Sequence, residues 1–381
     1  MVLTPKRIFI FLILSLVFLG CKDENTPIEE PVEIPYLEKM YLTVATKDNE
    51  FSVKLPLSGT INCEVDWNDG TTETVSEAYP THTYTKAGKY LITIAGTVTS
   101  INSSELNASE LPCITGVYNW GKTGLTNMYS AFKGCTELTY VSNDNGQGSF
   151  ADVKDFRDAF QGCLNLTEVP SGLFDNCTQI TSFNNIFYGC SELTKIPSGL
   201  FDSCTDVTDF QAAFKNCNNL TEIPSGLFDS CTRVVSFKEV FYGCSELTKI
   251  PSGLFDNCTN VMDLQAAFKN CKNLVEIPEK LFDKCIYAED FSMAFQNCEN
   301  LIEIPFGLFD NSKQIKSLIQ TFAGCVNLEG ESPYTVIDES KIHLYERNDG
   351  IGGFTEPQYI YFCFSECVKL SDYANIPNSW K

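Results

Sequence analysis

A 27-residue period, kept without slippage over six consecutive copies, constrains this chain more than any other feature. Ile-Pro or Val-Pro recurs with prolines at Pro170, Pro197, Pro224, Pro251, Pro278 and Pro305, and each is followed by Leu-Phe, ending at Phe174, Phe201, Phe228, Phe255, Phe282 and Phe309. One cysteine column runs Cys163, Cys190, Cys217, Cys244, Cys271, Cys298, Cys325; a second runs from Cys177 to Cys285 and ends in Ser312. Each copy reads F-x-x-C-x-x-L-x-x-I-P-x-x-L-F-x-x-C-x-x-V-x-x-F. Burying the apolar side chains of one copy does not offset the conformational entropy of ordering it, so a lone repeat stays unfolded and only contacts between neighbours stabilise the array. Identical coils must therefore stack in register, with their Phe, Leu, Ile and thiol side chains turned into a shared spine.

The pattern resembles a leucine-rich repeat, and the F-x-x-C-x-x-L blocks resemble the BspA-like surface proteins from about Leu111 to the C-terminus. The resemblance implies an α/β leucine-rich-repeat solenoid with P-x-x-L-F on the convex side and a concave strand near Ile180 to Phe187. The expected divisions of residues 100–381 are an N-cap over about 111–141, regular repeats over about 156–328, an insertion over 329–358 and a C-cap over 359–381. Trp120 is expected to cover the apolar N-terminal end. A 54-residue super-period lies on top, since Tyr188-Gly189-Cys190-Ser191-Glu192-Leu193 returns at Tyr242 to Leu247; tandem duplication explains it.

Upstream, residues 36–99 alternate apolar and polar positions between turns, the pattern of a small all-β domain. Val65-Asp66-Trp67-Asn68-Asp69-Gly70-Thr71, His82-Thr83-Tyr84 and Gly88-Lys89-Tyr90 resemble the PKD-type immunoglobulin-like module, which implies a β-sandwich. Asp66 and Asp69 read as turn residues, because a calcium site needs more oxygen ligands than they offer.

The N-terminus sets the expected compartment. Lys6 and Arg7 precede an apolar run from Ile8 to Leu19, which marks residues 1–20 as a signal peptide too short for a permanent span. Phe18-Leu19-Gly20-Cys21 resembles the lipobox of bacterial lipoproteins, in which the cysteine is acylated. Lys22-Asp23-Glu24 resembles the tract that sends Bacteroidetes-type lipoproteins to the outer face of the outer membrane. Residues 21–35 are acidic and Pro-rich and read as a tether.

These features restrict function. The net charge of −22, which becomes −24 once Lys6 and Arg7 are removed, repels phosphate backbones, so no nucleic-acid partner is expected. The lipid on Cys21 is the expected contact with a membrane. Only His82 and His343 are available as imidazole ligands or bases, and neither lies in a repeat, so no metal, cofactor or catalytic residue is expected and the chain is read as a non-enzyme. A pocket gathering His343 with Glu346 or a free cysteine would revive an enzymatic reading. The column cysteines are expected as buried thiols, with Cys63, Cys113 and Cys363 the better disulfide candidates.

What remains is binding, by a chain expected to be monomeric. The BspA-like resemblance implies adhesion to host or matrix proteins or to other cells. Candidate contact residues are the variable outward positions around Val-x-x-Phe: Ser182, Asn184, Asp209, Gln211, Ser236, Lys238, Asp263 and Gln265. The alternative is a glycan-binding surface lipoprotein of a polysaccharide uptake system. Against it, Trp67, Trp120 and Trp380 are the only tryptophans, and the many Phe residues sit at core spacing.

Overall fold

The computed structural model describes residues 38–381 apart from Ala108, Asn145 and the side chain of Pro112. The expected signal peptide, the expected lipidation site Cys21 and the expected tether lie outside the described residues. A β-domain comes first: β1 (Met40–Thr46), β2 (Phe51–Lys54), β3 (Leu57–Asp66), β4 (Thr72–Val75), β5 (Thr81–Tyr84) and β6 (Gly88–Ile101). Two more strands, β7 (Ile114–Asn119) and β8 (Tyr140–Val141), complete a six-stranded sheet of order β4-β3-β6-β1-β7-β8, while β2 and β5 pair as a separate ribbon. Trp67 is fully buried and Tyr84 nearly so. The Tyr84 hydroxyl donates to the Trp67 carbonyl at 2.8 Å, and His82 stacks on the indole at 4.8 Å. Asp66 and Asp69 are spent on their turn, accepting from the Asn68 and Thr71 amides at 2.9 and 3.1 Å.

The expected boundary at residue 99 falls inside β6. The end of that strand is the first rung of the solenoid, because Ser100 bridges Asn127 in parallel and the Thr126 amide donates to the Thr99 carbonyl at 2.8 Å. On the opposite side β7 pairs in parallel with β8, with Gly116 opposite Tyr140. The sheet therefore splays into two strands that each start one edge of the coil stack. Trp120 closes the apolar end between them, its ring 4.8 Å from Phe150 and 6.0 Å from Phe132.

Each coil that follows touches the next along two edges. Along one, which we call the ladder face, single-residue parallel bridges run from Ser182 through Asp209, Ser236, Asp263, Asp290 and Ser317 to Tyr359. Four amides per rung donate to the next coil, as when Phe183, Asn185, Phe187 and Gly189 bond the carbonyls of Asp209, Gln211, Ala213 and Lys215 at 2.7 to 3.0 Å. The second edge carries one bridge per coil, as at Glu168–Lys195 and Lys195–Glu222.

No α-helix occurs among the described residues, so the α/β expectation is corrected to a solenoid of turns and bridges. The reason is local. Proline fixes φ at the start of the convex segment, glycine follows two residues later with φ near +70° (Gly199, +71°), and i→i+3 turn bonds such as Cys204 N–H to Phe201 replace a helical ladder. The concave rung also contains a left-handed residue in every coil, from Asn185 (φ +54°) to Phe362 (φ +60°), which no helix accommodates.

Inside, the Ile-Pro-x-x-Leu-Phe segments do lie side by side. Phe174 and Phe201 stack at 5.8 Å, Phe228 and Phe255 at 6.3 Å, and Phe282 and Phe309 at 6.0 Å. A second aromatic file runs from Phe132 to Phe364 at comparable spacing, for example 5.6 Å between Phe214 and Phe241. The thiols point inward. In the first column each donates to the phenylalanine carbonyl of the coil before, as from Cys217 to Phe187 at 3.2 Å. In the second, the Ser312 hydroxyl replaces the thiol and bonds the Cys285 carbonyl at 3.4 Å. Burial pushes Cys190 up to about 12, far from the thiolate form. Cys63, Cys113 and Cys363, expected as disulfide candidates, are buried free thiols: Cys63 lies in β3, Cys113 ends the turn before β7 and Cys363 lies in the last coil.

The insertion folds as a hairpin, β9 (Tyr334–Ile337) and β10 (Ser340–His343), laid against the stack. Arg347 anchors it by donating to the Phe309 carbonyl at 3.0 Å, and burial lowers this guanidinium to about 10. The coil register resumes beyond it: Leu318 and Gln320 donate to Tyr359 and Tyr361 at 2.6 and 3.0 Å. The C-terminal segment closes the end, with Phe364 donating to the Trp380 carbonyl at 2.7 Å and the indole stacked on its ring at 6.2 Å.

Candidate binding face

The eight residues singled out from the sequence all lie on the ladder face, in two parallel files, and all are half-buried. The files do different things. Ser182, Asp209, Ser236 and Asp263 occupy the bridge file, where their side chains accept the amide two residues on: Asp209 from Gln211 at 2.8 Å, Asp263 from Gln265 at 2.9 Å, Ser182 from Asn184 and Ser236 from Lys238 at 3.2 and 3.3 Å. Those oxygens set the backbone turn, which explains why the file keeps Ser or Asp. Asp263 also stands between Asp209 and Asp290 in the file; burial above all, then those carboxylates, raises its pKa. The second file holds Asn184, Gln211, Lys238 and Gln265. The Gln211 and Gln265 amides make no side-chain hydrogen bond among the described residues, so these positions are open to a partner.

The super-period acquires a physical meaning here. Tyr188, Lys215, Tyr242 and Lys269 form one file, and the Lys215 ammonium lies 5.7 Å from the Tyr188 ring and 4.6 Å from Tyr242, with Lys269 at 5.5 Å from Tyr242. Lys215 also pairs with Glu239 at 2.8 Å. In the adjoining file Gly243 follows Asn216, whose Oδ1 would lie 2.4 Å from any Cβ added to Gly243. Alternation thus sets Lys215 between two rings and Lys269 beside one, and places Gly243 next to Asn216. Stacking like on like at the strand spacing of about 4.8 Å would oppose equal charges.

Two shallow grooves border the face. One, of about 580 Å³, is polar and includes Lys154, Arg157, Asn184 and Asp209. The other, of about 460 Å³, mixes Arg233, Asn260 and Gln314 with exposed Val235, Met262 and Tyr287.

The sequence reading missed the last rung. Tyr359 continues the bridge file and Tyr361 the second file, while Phe362 holds the left-handed position. All three are exposed, at 52, 56 and 54 %. Their signal in the sequence was the spacing Tyr359 to Cys367, which reproduces Ser317 to Cys325 across the insertion.

His343, the one histidine near the solenoid, is not gathered with a cysteine. The Ser332 hydroxyl donates to Asp372 at 2.5 Å and lies 3.0 Å from His343 Nδ1, and the Asp372 carboxylate also accepts the Ser332 amide at 3.0 Å. Glu346 accepts the His343 backbone amide at 2.8 Å. Ser332 is fully buried, so the group is a clasp between the insertion and the C-cap rather than a reachable nucleophile. Burial and the nearby Asp372 push the Tyr345 hydroxyl at its edge up to about 12. Among the described residues no His, Cys, Asp or Glu cluster is arranged to hold a metal, and no helix is long and apolar enough to cross a membrane.

Comparison with known proteins matches residues 99–227 and 154–281 to a family model described as a Mycoplasma protein of unknown function, DUF285. No curated protein matches. Among solved structures, a leucine-rich cell surface protein from Faecalibacterium prausnitzii is similar at 22% identity, covering 75% of this chain and 87% of that one, with a TM-score of 0.35. A leucine-rich repeat protein from Eubacterium ventriosum is similar at 18% identity, covering 84% of each chain, with a TM-score of 0.32.

Proposed function

We propose that this chain is a cell-surface, lipid-anchored binding protein of BspA-like type, which adheres to host or matrix proteins or to other cells through the ladder face and catalyses nothing. In this reading Cys21 carries the lipid on the outer membrane, residues 21–35 are the tether and the PKD-like β-domain is the stalk. One observation supports the face above others. It carries a file of outward side chains, Asn184, Gln211, Lys238 and Gln265, beside a file whose polar groups the backbone already uses. Variation in the open file changes contacts without disturbing the turn, as a recognition surface requires.

The experiment has two arms. Fractionation of a Cys21→Ala variant should release the protein from membranes; unchanged retention refutes the anchor. Mature protein should bind immobilised matrix proteins or whole cells, and replacing Gln211, Lys238 and Gln265 together by glutamate should weaken this roughly tenfold or more without lowering the unfolding temperature. Equal binding by that variant would remove the ladder face from the reading. A second reading, glycan capture, is favoured by one feature, the exposed aromatic rung.

A further inference from the structure

We propose that Tyr359, Tyr361 and Phe362 form a stacking platform for an uncharged polysaccharide at the C-terminal end of the ladder face. The inference rests on the ladder face being the contact face.

The three positions have well-defined equivalents in earlier coils, and there they serve the fold. From Asn127 to Asp290 the bridge residue caps the amide two residues on, as Asp290 does for Ser292 at 2.7 Å. Tyr359 has no oxygen in that place, so the last rung forgoes the cap that stabilises every rung from Asn127 to Asp290. The left-handed position is filled elsewhere by Asn185, Ala212, Glu239 or Gln320, and an exposed phenylalanine gains nothing from it.

The rings are also unspent. Other tyrosines on this face have cationic partners: Arg157 lies 5.5 Å from Tyr129, and Lys215 serves Tyr188 and Tyr242. Among the described residues Tyr359, Tyr361 and Phe362 stack on no ring and meet no cation, and neither tyrosine hydroxyl has a hydrogen-bond partner. Tyr359 is the bridge residue and Tyr361 its second neighbour in the same rung, and both are exposed.

Charge selects the occupant. The chain as a whole is strongly acidic, yet 317–325 contains no charged residue and the matching last rung, 359–367, contains one, Glu366 at its far end. The exposed rings offer flat apolar faces, with Gln358 next to Tyr359 in the chain and Gln320 bonded through its backbone amide to the Tyr361 carbonyl as polar neighbours. That is the complement of a neutral sugar, whose C–H face is apolar and whose rim is hydroxyl. A protein anchored here would bring charged side chains to a rung that offers few charges to pair them.

The test uses the mature full-length protein in native affinity gels containing soluble xylan, mannan, hydroxyethyl cellulose, mixed-linkage β-glucan or amylopectin. Retardation by at least one is expected, and calorimetry with the matching oligosaccharide should show roughly tenfold or more weakening in Tyr359→Ala/Tyr361→Ala. Phe362→Asn, which keeps a residue tolerant of positive φ, should weaken it less. Unfolding midpoints should fall little in either variant, since among the described residues the rings make no stacking, cation or hydroxyl contact and are exposed by more than half. Retardation by none of the five, or equal affinity in the double variant, overturns the proposal. If the double variant instead loses adhesion to matrix proteins while no glycan binds, the rung is a protein anchor; the surface-binding reading then stands and this inference falls.

Discussion

The β-domain and the coil stack solve the same burial problem in opposite ways. In the β-domain each contact is unique: Tyr84 bonds Trp67, His82 stacks on the indole, and Val65 pairs Ile94 across β3 and β6. In the stack one contact set is copied every 27 residues, and no coil touches beyond its neighbour. The difference teaches that the stack cannot begin by itself. Its first coil needs strands supplied from outside, and β6 and β7 supply one to each edge.

The sharpest way to break the comparison is deletion. Removing residues 38–98 takes away β1, the antiparallel partner of both β6 and β7, and leaves the two starting strands without the sheet that holds them, so the remaining coils should lose cooperative unfolding and aggregate, as followed by circular dichroism and light scattering. Joining Phe187 to Tyr242, which removes one 54-residue unit of the stack, should instead leave a folded protein with a lower denaturant m-value. Next in size, Phe228→Ala opens a cavity between Phe201 and Phe255 and should cost about 3 to 5 kcal/mol in chemical denaturation. Trp67→Ala should cost a similar amount; if only one of the two unfolds the whole chain, stack and β-domain are separate cooperative units. Smaller again, Cys217→Ala removes the donor to the Phe187 carbonyl and should cost about 1 to 3 kcal/mol. Cys258→Ser should cost less, because Ser312 already fills that column. The native thiols should resist Ellman's reagent at pH 8 until denaturant is added, since burial raises them out of the thiolate range. The smallest expected effect is a gain. Lys280 adopts φ +61° where Gly199 or Gly226 stands in other coils, so Lys280→Gly should stabilise by about 1 kcal/mol.

The stack was legible because its forces are periodic. Proline, phenylalanine and cysteine columns announce which side chains face inward, and the structure buries them as spacing required. The helices implied by resemblance were not written in the residues. Pro197 and Gly199 in close succession already break them, a local conflict that family likeness concealed. The boundary expected at residue 99 falls inside β6, which belongs to two neighbours at once, and a composition change marks no such sharing. Candidate residues all fall on one face, but the duty of Ser182 and Asp209 as caps needs backbone geometry that side-chain variability does not encode. The aromatic rung stayed hidden because the insertion separates Tyr359 from Ser317 in sequence while the ladder joins them in space.

The alternation of Tyr with Lys and Gly with Asn bears on how such a rod changes its reach. A recombination event that dropped the coil of Tyr242 would set Lys215 against Lys269, whereas one that dropped two restores the ring beside each lysine. Lengthening and shortening should therefore be tolerated in even steps of about 10 Å. Descendants of one gene would then form a series of stacks of graded length, each with its terminal aromatic rung unchanged.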